Sequence, residues 1–214
     1  MTSERKCYGQ ICPMATALDA VGERWTLLIL RELLGGPARF NQLLEGLPGI
    51  ARNLLSARLR RLEEDGIVQR VEVGGVAAYA LTDLGARIRP TLEALGFWGA
   101  QLERTGPAVH ERSIRAIAMA LQAILVHGRG SLPDESFAVE LLVGGEAVEV
   151  WLGPQPVTIA RASPRAAARV QVPRATMSAW LSGQAAELGD FAHVSGDPLA
   201  TAALVAALGI TGAS

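Results

Sequence analysis

Only two cysteines, Cys7 and Cys12, occur among the 214 residues, too few for a disulfide scaffold. No run approaches the roughly 18 uncharged apolar residues that a membrane helix needs, so no membrane association is expected. Glu4, Arg5 and Lys6 stand near the N-terminus without the apolar core of a secretory signal behind them. The chain is therefore expected to be soluble and cytoplasmic. Histidine is scarce: His110, His127 and His193 are scattered, and neither cysteine has a histidine at ligand spacing, so no metal site is expected. No P-loop, dinucleotide fingerprint, nucleophile elbow or His-Glu-x-x-His motif is present, and nothing supports an enzyme or a cofactor.

Net charge is nearly absent as well. Twenty Lys+Arg face 21 Asp+Glu, and half of all residues are hydrophobic, which excludes disorder. Residues 1–106 hold 13 basic and 12 acidic residues, and residues 107–214 hold 7 and 9. Neither half is a basic tail, so contact with DNA must come from a local face and not from global steering.

The first half reads as mainly helical. Pro13 opens a helix from Met14 to about Gly22, proline being favoured in a first turn. A second runs Arg24–Leu34 and stops at Gly35-Gly36-Pro37; a short third covers Phe40–Leu44. Ile50–Asp65 is longer and ends at Gly66, a residue suited to a left-handed cap. The period then changes to two: residues 67–73 and 76–81 flank Gly74-Gly75, a hairpin signal. Thr82 caps a long helix to about Arg104 whose apolar positions include Leu84, Ile88, Leu92, Leu95, Trp98 and Leu102. Gly106-Pro107 is the expected boundary between domains 1–106 and 107–214.

The second half is read as an α+β domain. A helix over Ala108–Val126 precedes a loop, Gly128–Pro133. Antiparallel strands follow near Phe137–Val143, Ala147–Leu152, Pro156–Ala160, Arg169–Val172 and Phe191–Ser195. A helix from Pro173 to Leu181 interrupts them, and one from Asp197-Pro198 to Leu208 closes the chain. Apolar side chains gather on the closing elements, with Met177, Trp180, Leu181 and Phe191 the candidates for lining a ligand pocket between helices and sheet. Plain core packing accounts for the same residues.

On Ile50–Asp65, Leu55, Leu59 and Leu62 repeat at i, i+4, i+7 and face a core, while Arg52, Ser56 and Arg60 lie roughly opposite with Asn53 alongside. A short helix, a break at Gly46–Gly49 and a second helix with a polar, basic outer side is a helix-turn-helix pattern, whose second helix enters the major groove. Ala51, in the first turn of that helix, is counted with Arg52, Asn53, Ser56 and Arg60 among the DNA-binding residues. Arg52 suits guanine and Asn53 adenine; Arg39, Arg58, Arg61 and Arg70 suit phosphates, which supply affinity without sequence information. A solvated face of an all-α domain would show the same polarity.

Several stretches together resemble the HxlR-type winged-helix regulators, relatives of the MarR group: residues 21–30 (Val-Gly-Glu-Arg-Trp-Thr-Leu-Leu-Ile-Leu), Gly36–Leu43, Leu47–Ile50, Leu59–Gly66 and Tyr79–Gly85, preceded by Cys12-Pro13. The resemblance implies a winged helix-turn-helix fold and a homodimer on double-stranded DNA with a palindromic operator. It places the subunit contact on terminal helices of the domain, here Leu92, Leu95, Trp98 and Leu102. The wing departs from the family pattern, with no basic residue between Glu72 and Thr82. Some relatives sense redox-active or electrophilic molecules through a cysteine at the place of Cys12. A thiol at a helix N-terminus is activated as a nucleophile, whereas a lone cysteine near an interface also serves as a small hydrophobe.

Residues 108–210 resemble the sterol carrier protein-like fold, through Val139–Leu152, Arg169–Val172, Met177–Gly183 and Val194–Leu199. That family binds apolar molecules, which implies a hydrophobic small molecule as effector. The expectation is a DNA-binding regulator modulated by such a ligand or by thiol chemistry at Cys12. The alternative is an apolar-ligand carrier whose N-terminal half serves only for dimerisation.

Overall fold

A computed structural model of the protein describes residues 7–99, 102, 113–127, 136–152, 159–161, 166–181 and 193–208. The chain divides into two compact units, Met1–Ile88 and Arg89–Ser214. Gly106 and Pro107, the expected boundary, lie outside the described residues, as do the loop Gly128–Pro133 and Phe191.

In the first unit the helices are α1 (Pro13–Val21), α2 (Thr26–Leu34), α3 (Phe40–Gly46), α4 (Arg52–Glu64) and the single turn α5 (Asp83–Ala86). Strands β1 (Val68–Val73) and β2 (Val76–Leu81) pair antiparallel, Val73 opposite Val76. Gly74 and Gly75 carry φ of 60° and 75° at the tip, the left-handed values that a two-residue hairpin turn requires. The core is a set of aliphatic positions spaced for helices, among them Ile29, Leu30, Leu33, Leu43, Leu47, Leu55, Leu59 and Leu62, closed by Val68 and Ala78 of the hairpin. Gly66 ends α4 with φ 67°, and the Ile67 N–H returns to Leu62 O at 2.9 Å, the bond pattern of a left-handed helix cap.

Two helical expectations need correction. The helix expected from Arg24 starts at Thr26, because Trp25 sits at φ 78°, outside the helical region and rare for a bulky residue. The long helix expected from Thr82 to Arg104 is broken: α5 stops at Ala86 and α6 (Arg89–Gly99) begins anew. Pro90 explains the break. Inside a continuous helix its ring would clash with the carbonyl of Ala86, four residues back, and it donates no N–H, so proline is tolerated only in a first turn.

The second unit begins with α6, followed by α7 (Ile114–His127). Arg89 Nη1 on α6 donates to the buried Gln122 Oε1 on α7 at 3.0 Å. Strands β3 (Phe137–Val143), β4 (Glu146–Leu152), β5 (Ile159–Arg161), β6 (Ala168–Val172) and β7 (His193–Gly196) form one sheet in the order β5-β4-β3-β6-β7. The sheet is mixed, which corrects the all-antiparallel expectation: β3 and β6 run parallel. The chain leaves the β3–β4 hairpin, adds β5 outside β4, and re-enters on the far side of β3; such a parallel pair needs a crossover and no tight turn can make it. Helices α8 (Arg174–Leu181) and α9 (Pro198–Leu208) complete the unit. Alternate residues Val139, Leu141, Val143, Val148, Val150, Leu152, Val170 and Val172 share one core with Ile117, Leu121, Met177 and Leu204 of the helices, the period of two that one covered sheet face imposes. Among the described residues no helix is long and apolar enough to cross a membrane.

Candidate nucleic-acid interface

The interface is built on α3, a tight turn and α4. At Arg39, which precedes α3, the backbone N–H donates to Gln42 Oε1 at 2.9 Å, one half of a capping box. Pro48 cannot extend α3, and Gly49 adopts φ 93°, so the chain reverses within residues 47–50 while Leu47 and Ile50 stay buried. The Trp25 ring lies against this turn: a Cβ at Gly49 would stand 3.7 Å from it. Ala51 opens α4 without a side-chain cap.

Leu55, Leu59 and Leu62 are buried as their spacing requires, and Arg52, Asn53, Ser56 and Arg60 are exposed. Arg52 is held by the preceding helix. Its Nη2 donates to Asn41 Oδ1 at 3.3 Å and its guanidinium lies 5.7 Å from the centre of the Phe40 ring, a stacking that leaves its edge in water. Asn53 Oδ1 accepts the Leu54 N–H at 2.9 Å. Arg39 and Arg60 are exposed and form no ion pair among the described residues.

The other nominated cations are engaged within the protein. Arg58 Nη2 donates to Glu23 Oε2 at 2.7 Å, across the corner between α1 and α2. Arg61 lies 3.8 Å from Glu64 and 3.5 Å from Asp65 along its own helix. Arg70 Nε donates to Glu63 Oε1 at 2.9 Å, with its guanidinium 5.6 Å from the Tyr79 ring centre. The Glu63 hydrogen bond, with Tyr79 adding to it, raises the Arg70 pKa above the ordinary arginine value. The wing tip carries no cation; Val73 and Val76 are its exposed side chains.

Cys12 is the N-cap residue of α1, half-buried, and makes no side-chain cap bond. Cys7 Sγ donates to Asp19 Oδ2 at 3.2 Å, and the Tyr8 N–H to Asp19 Oδ1 at 3.0 Å, which fastens the leading segment to α1. Of the nominated subunit-contact residues, Leu92 is buried in its own unit, while Leu95, Trp98 and Leu102 are exposed; Ile11, Met14 and Leu18 on and before α1 are exposed too.

Met177 and Leu181, nominated for a ligand pocket, belong to the packed core of the second unit. Trp180 falls on α8, but its side chain, like Phe191, lies outside the described residues. A cavity of about 190 Å³ lies elsewhere, between Glu140, Ala166–Arg169, Ser195 and Gly196. Its Glu140 carboxylate is ion-paired with Arg169. Glu23 and Trp25 were not among the sequence-predicted site residues. They fall inside the resembling stretch 21–30, but their contacts with α4 and the turn before it depend on packing between distant segments.

Residues 20–106 match the model of the HxlR-like helix-turn-helix family. The HTH-type transcriptional regulator sll1512 of Synechocystis is 41% identical over 90 residues, 41% of this chain and 67% of that one. YodB of Bacillus subtilis, also an HTH-type transcriptional regulator, is 33% identical over 105 residues, 47% of this chain and 94% of that one. The solved structure of quinone-bound YodB aligns at 33% identity with a TM-score of 0.39, covering 43% of this chain and all of the other. A helix-turn-helix with its hairpin wing, matched over two thirds or more of such relatives, makes this chain a member of the HxlR-like helix-turn-helix family of transcriptional regulators.

Proposed function

We propose that the protein is a homodimeric regulator that reads a palindromic operator with α4. One observation carries the reading: the N-terminal and outer side of α4 presents Arg52, Asn53, Ser56 and Arg60 to solvent, with Arg39 exposed just before the first helix of the motif. Guanidinium and amide groups at a helix start match base edges in the major groove, and Arg39 suits a phosphate. Exposed apolar residues on α1 and α6 support subunit contact, because such surface on a monomer is costly to leave in water. The domain limits 1–106 and 107–214 belong to the same reading.

The test begins with an operator selected from a pool of random duplexes. Arg52→Ala and Arg60→Ala are each expected to weaken operator binding by about 1–3 kcal/mol for every base edge they cease to read, with thermal unfolding unchanged. Failure to select any operator would favour the carrier alternative, in which the N-terminal half only dimerises, and undiminished binding by both variants would overturn α4 as the reading element.

The second unit is read as a sterol carrier protein-like effector domain, supported by helices packed on one face of a five-stranded sheet. An apolar ligand there, or modification of the Cys12 thiol at the start of α1, would shift operator affinity by coupling of about 1–3 kcal/mol. Native mass spectrometry of gently purified protein should reveal a co-purifying apolar molecule, and iodoacetamide treatment should alter operator affinity in wild type but not in Cys12→Ser. Effectors that bind without changing operator affinity would refute the coupling.

A further inference from the structure

Among the described residues, Arg58 is the guanidinium of α4 that is ion-paired with a carboxylate outside its own helix and that helix's cap. Arg58 lies on the flank of α4 beside Ala57 and Arg61, partly solvent-exposed, and its Nη2 reaches Glu23 Oε2 at 2.7 Å. Among the described residues no second bond reinforces this contact: Arg58 Nε is buried and has no hydrogen-bond partner there. Arginine and carboxylate bind most strongly as a two-pronged fork, and here only one prong is engaged. The Glu23 carboxylate is 57% exposed, so it returns to water at little cost.

The main chain under Glu23 is held by contrast. The Thr26 N–H donates to Glu23 O at 3.1 Å, and Trp25 is locked in a left-handed backbone with its ring against the turn before α4. The corner therefore stays in place while its glutamate side chain can swing. We infer that Glu23 is an exchangeable ligand for Arg58: in the free protein it occupies the guanidinium, and on DNA a phosphate takes its place. Glu23 thereby sets how strongly α4 holds the backbone. The phosphate is the better partner because its several oxygens can engage Nη1 together with Nη2, where the carboxylate holds Nη2 alone. This inference rests on the DNA-binding reading above and adds a residue that weakens binding.

The probe is a mixed-sequence DNA duplex of three helical turns, titrated by fluorescence anisotropy from about 50 to 200 mM salt. Glu23→Gln is expected to bind about two- to five-fold more tightly, the range set by releasing one exposed ion pair. The slope of log K against log salt should stay that of wild type, because Arg58 meets one phosphate in both proteins, whereas Arg58→Ala should flatten it by up to about 0.9 for each recognition helix. In an Arg58→Ala background the same glutamate substitution should change neither quantity. Weaker binding by E23Q at an unchanged melting temperature would overturn the inference, since Glu23 would then be needed to hold α4 in place. So would equal tightening with and without Arg58, which would make Glu23 a distant charge only. If E23Q does not fold, Glu23→Ser carries the same comparison. Failure of wild type to bind the duplex, or binding indifferent to salt, would sink the DNA-binding reading itself and not the exchange alone.

Discussion

Alanine in place of Gly85 is expected to destabilise the winged-helix unit by about 3 kcal/mol or more, near the top of what overpacking produces. A Cβ at this position would stand 2.1 Å from Ile67 O and 3.0 Å from Ile67 C, both main-chain atoms. The Ile67 carbonyl has no room to withdraw, because it accepts the Thr82 N–H at 3.0 Å immediately before β1 begins. Thr82 tightens the same knot. Its Oγ1 accepts the Gly85 N–H at 3.1 Å and donates to Gly66 O at 2.6 Å, so α5, the end of α4 and the root of the wing meet around one glycine. Separation by a Cβ would pull the hairpin, with its buried Val68, away from the helical core that includes Leu62. Urea unfolding of the purified variant measures the destabilisation, and operator binding should fall with it. A midpoint within about 1 kcal/mol of wild type would show that the Ile67 carbonyl can move.

Gly196→Ala should cost the second unit a comparable amount, through two additive causes. The backbone stands at φ 109°, a region that an L side chain enters at about 1–3 kcal/mol. The new Cβ would also lie 2.5 Å from Ala167 O and 2.7 Å from Ala168 Cα. Ala168 opens β6, the strand on which β7 pairs with Gly196 opposite it, and Ala167 O, just before that strand, already accepts the Asp197 N–H at 2.8 Å. Asp197 in turn caps α9, its Oδ1 accepting the N–H groups of Leu199 and Ala200 at 2.8 and 3.0 Å. Strain at Gly196 is thus passed to the last strand and the last helix together. Hydrogen exchange of α9 and β7 amides is the direct readout; protection equal to wild type would refute the close approach.

These two glycines mark how far the sequence can be read. Thr82–Gly85 and Gly196-Asp197 stand out as punctuation, yet which atom each glycine makes room for depends on a segment elsewhere in the chain. Local signals are legible where neighbours decide the structure. The Leu55–Leu59–Leu62 stripe, the Gly66 cap and the Gly74-Gly75 hairpin all appear where periodicity and turn chemistry place them. The region after Thr82 reads as one long helix because Leu84, Ile88 and Leu92 continue a helical spacing across a break that Pro90 imposes. An all-antiparallel sheet is the wrong reading because hairpin spacing says nothing of where the chain re-enters after β5.

Linear order offers Arg39, Arg52, Arg58, Arg60, Arg61 and Arg70 alike as cations for DNA and does not separate them. Arg52 and Arg60 remain open to an outside partner, whereas Arg58 is taken by a carboxylate 35 residues earlier and Arg70 by Glu63 across the wing root. Repeating apolar positions and turn-forming residues are enough to specify helices, hairpins and the polar side of α4, since each depends on contacts a few residues apart. Which charges are free to meet DNA, and which glycines cannot be changed, emerge only when distant segments pack, because ion pairing and steric exclusion act through space and leave no trace in spacing along the chain.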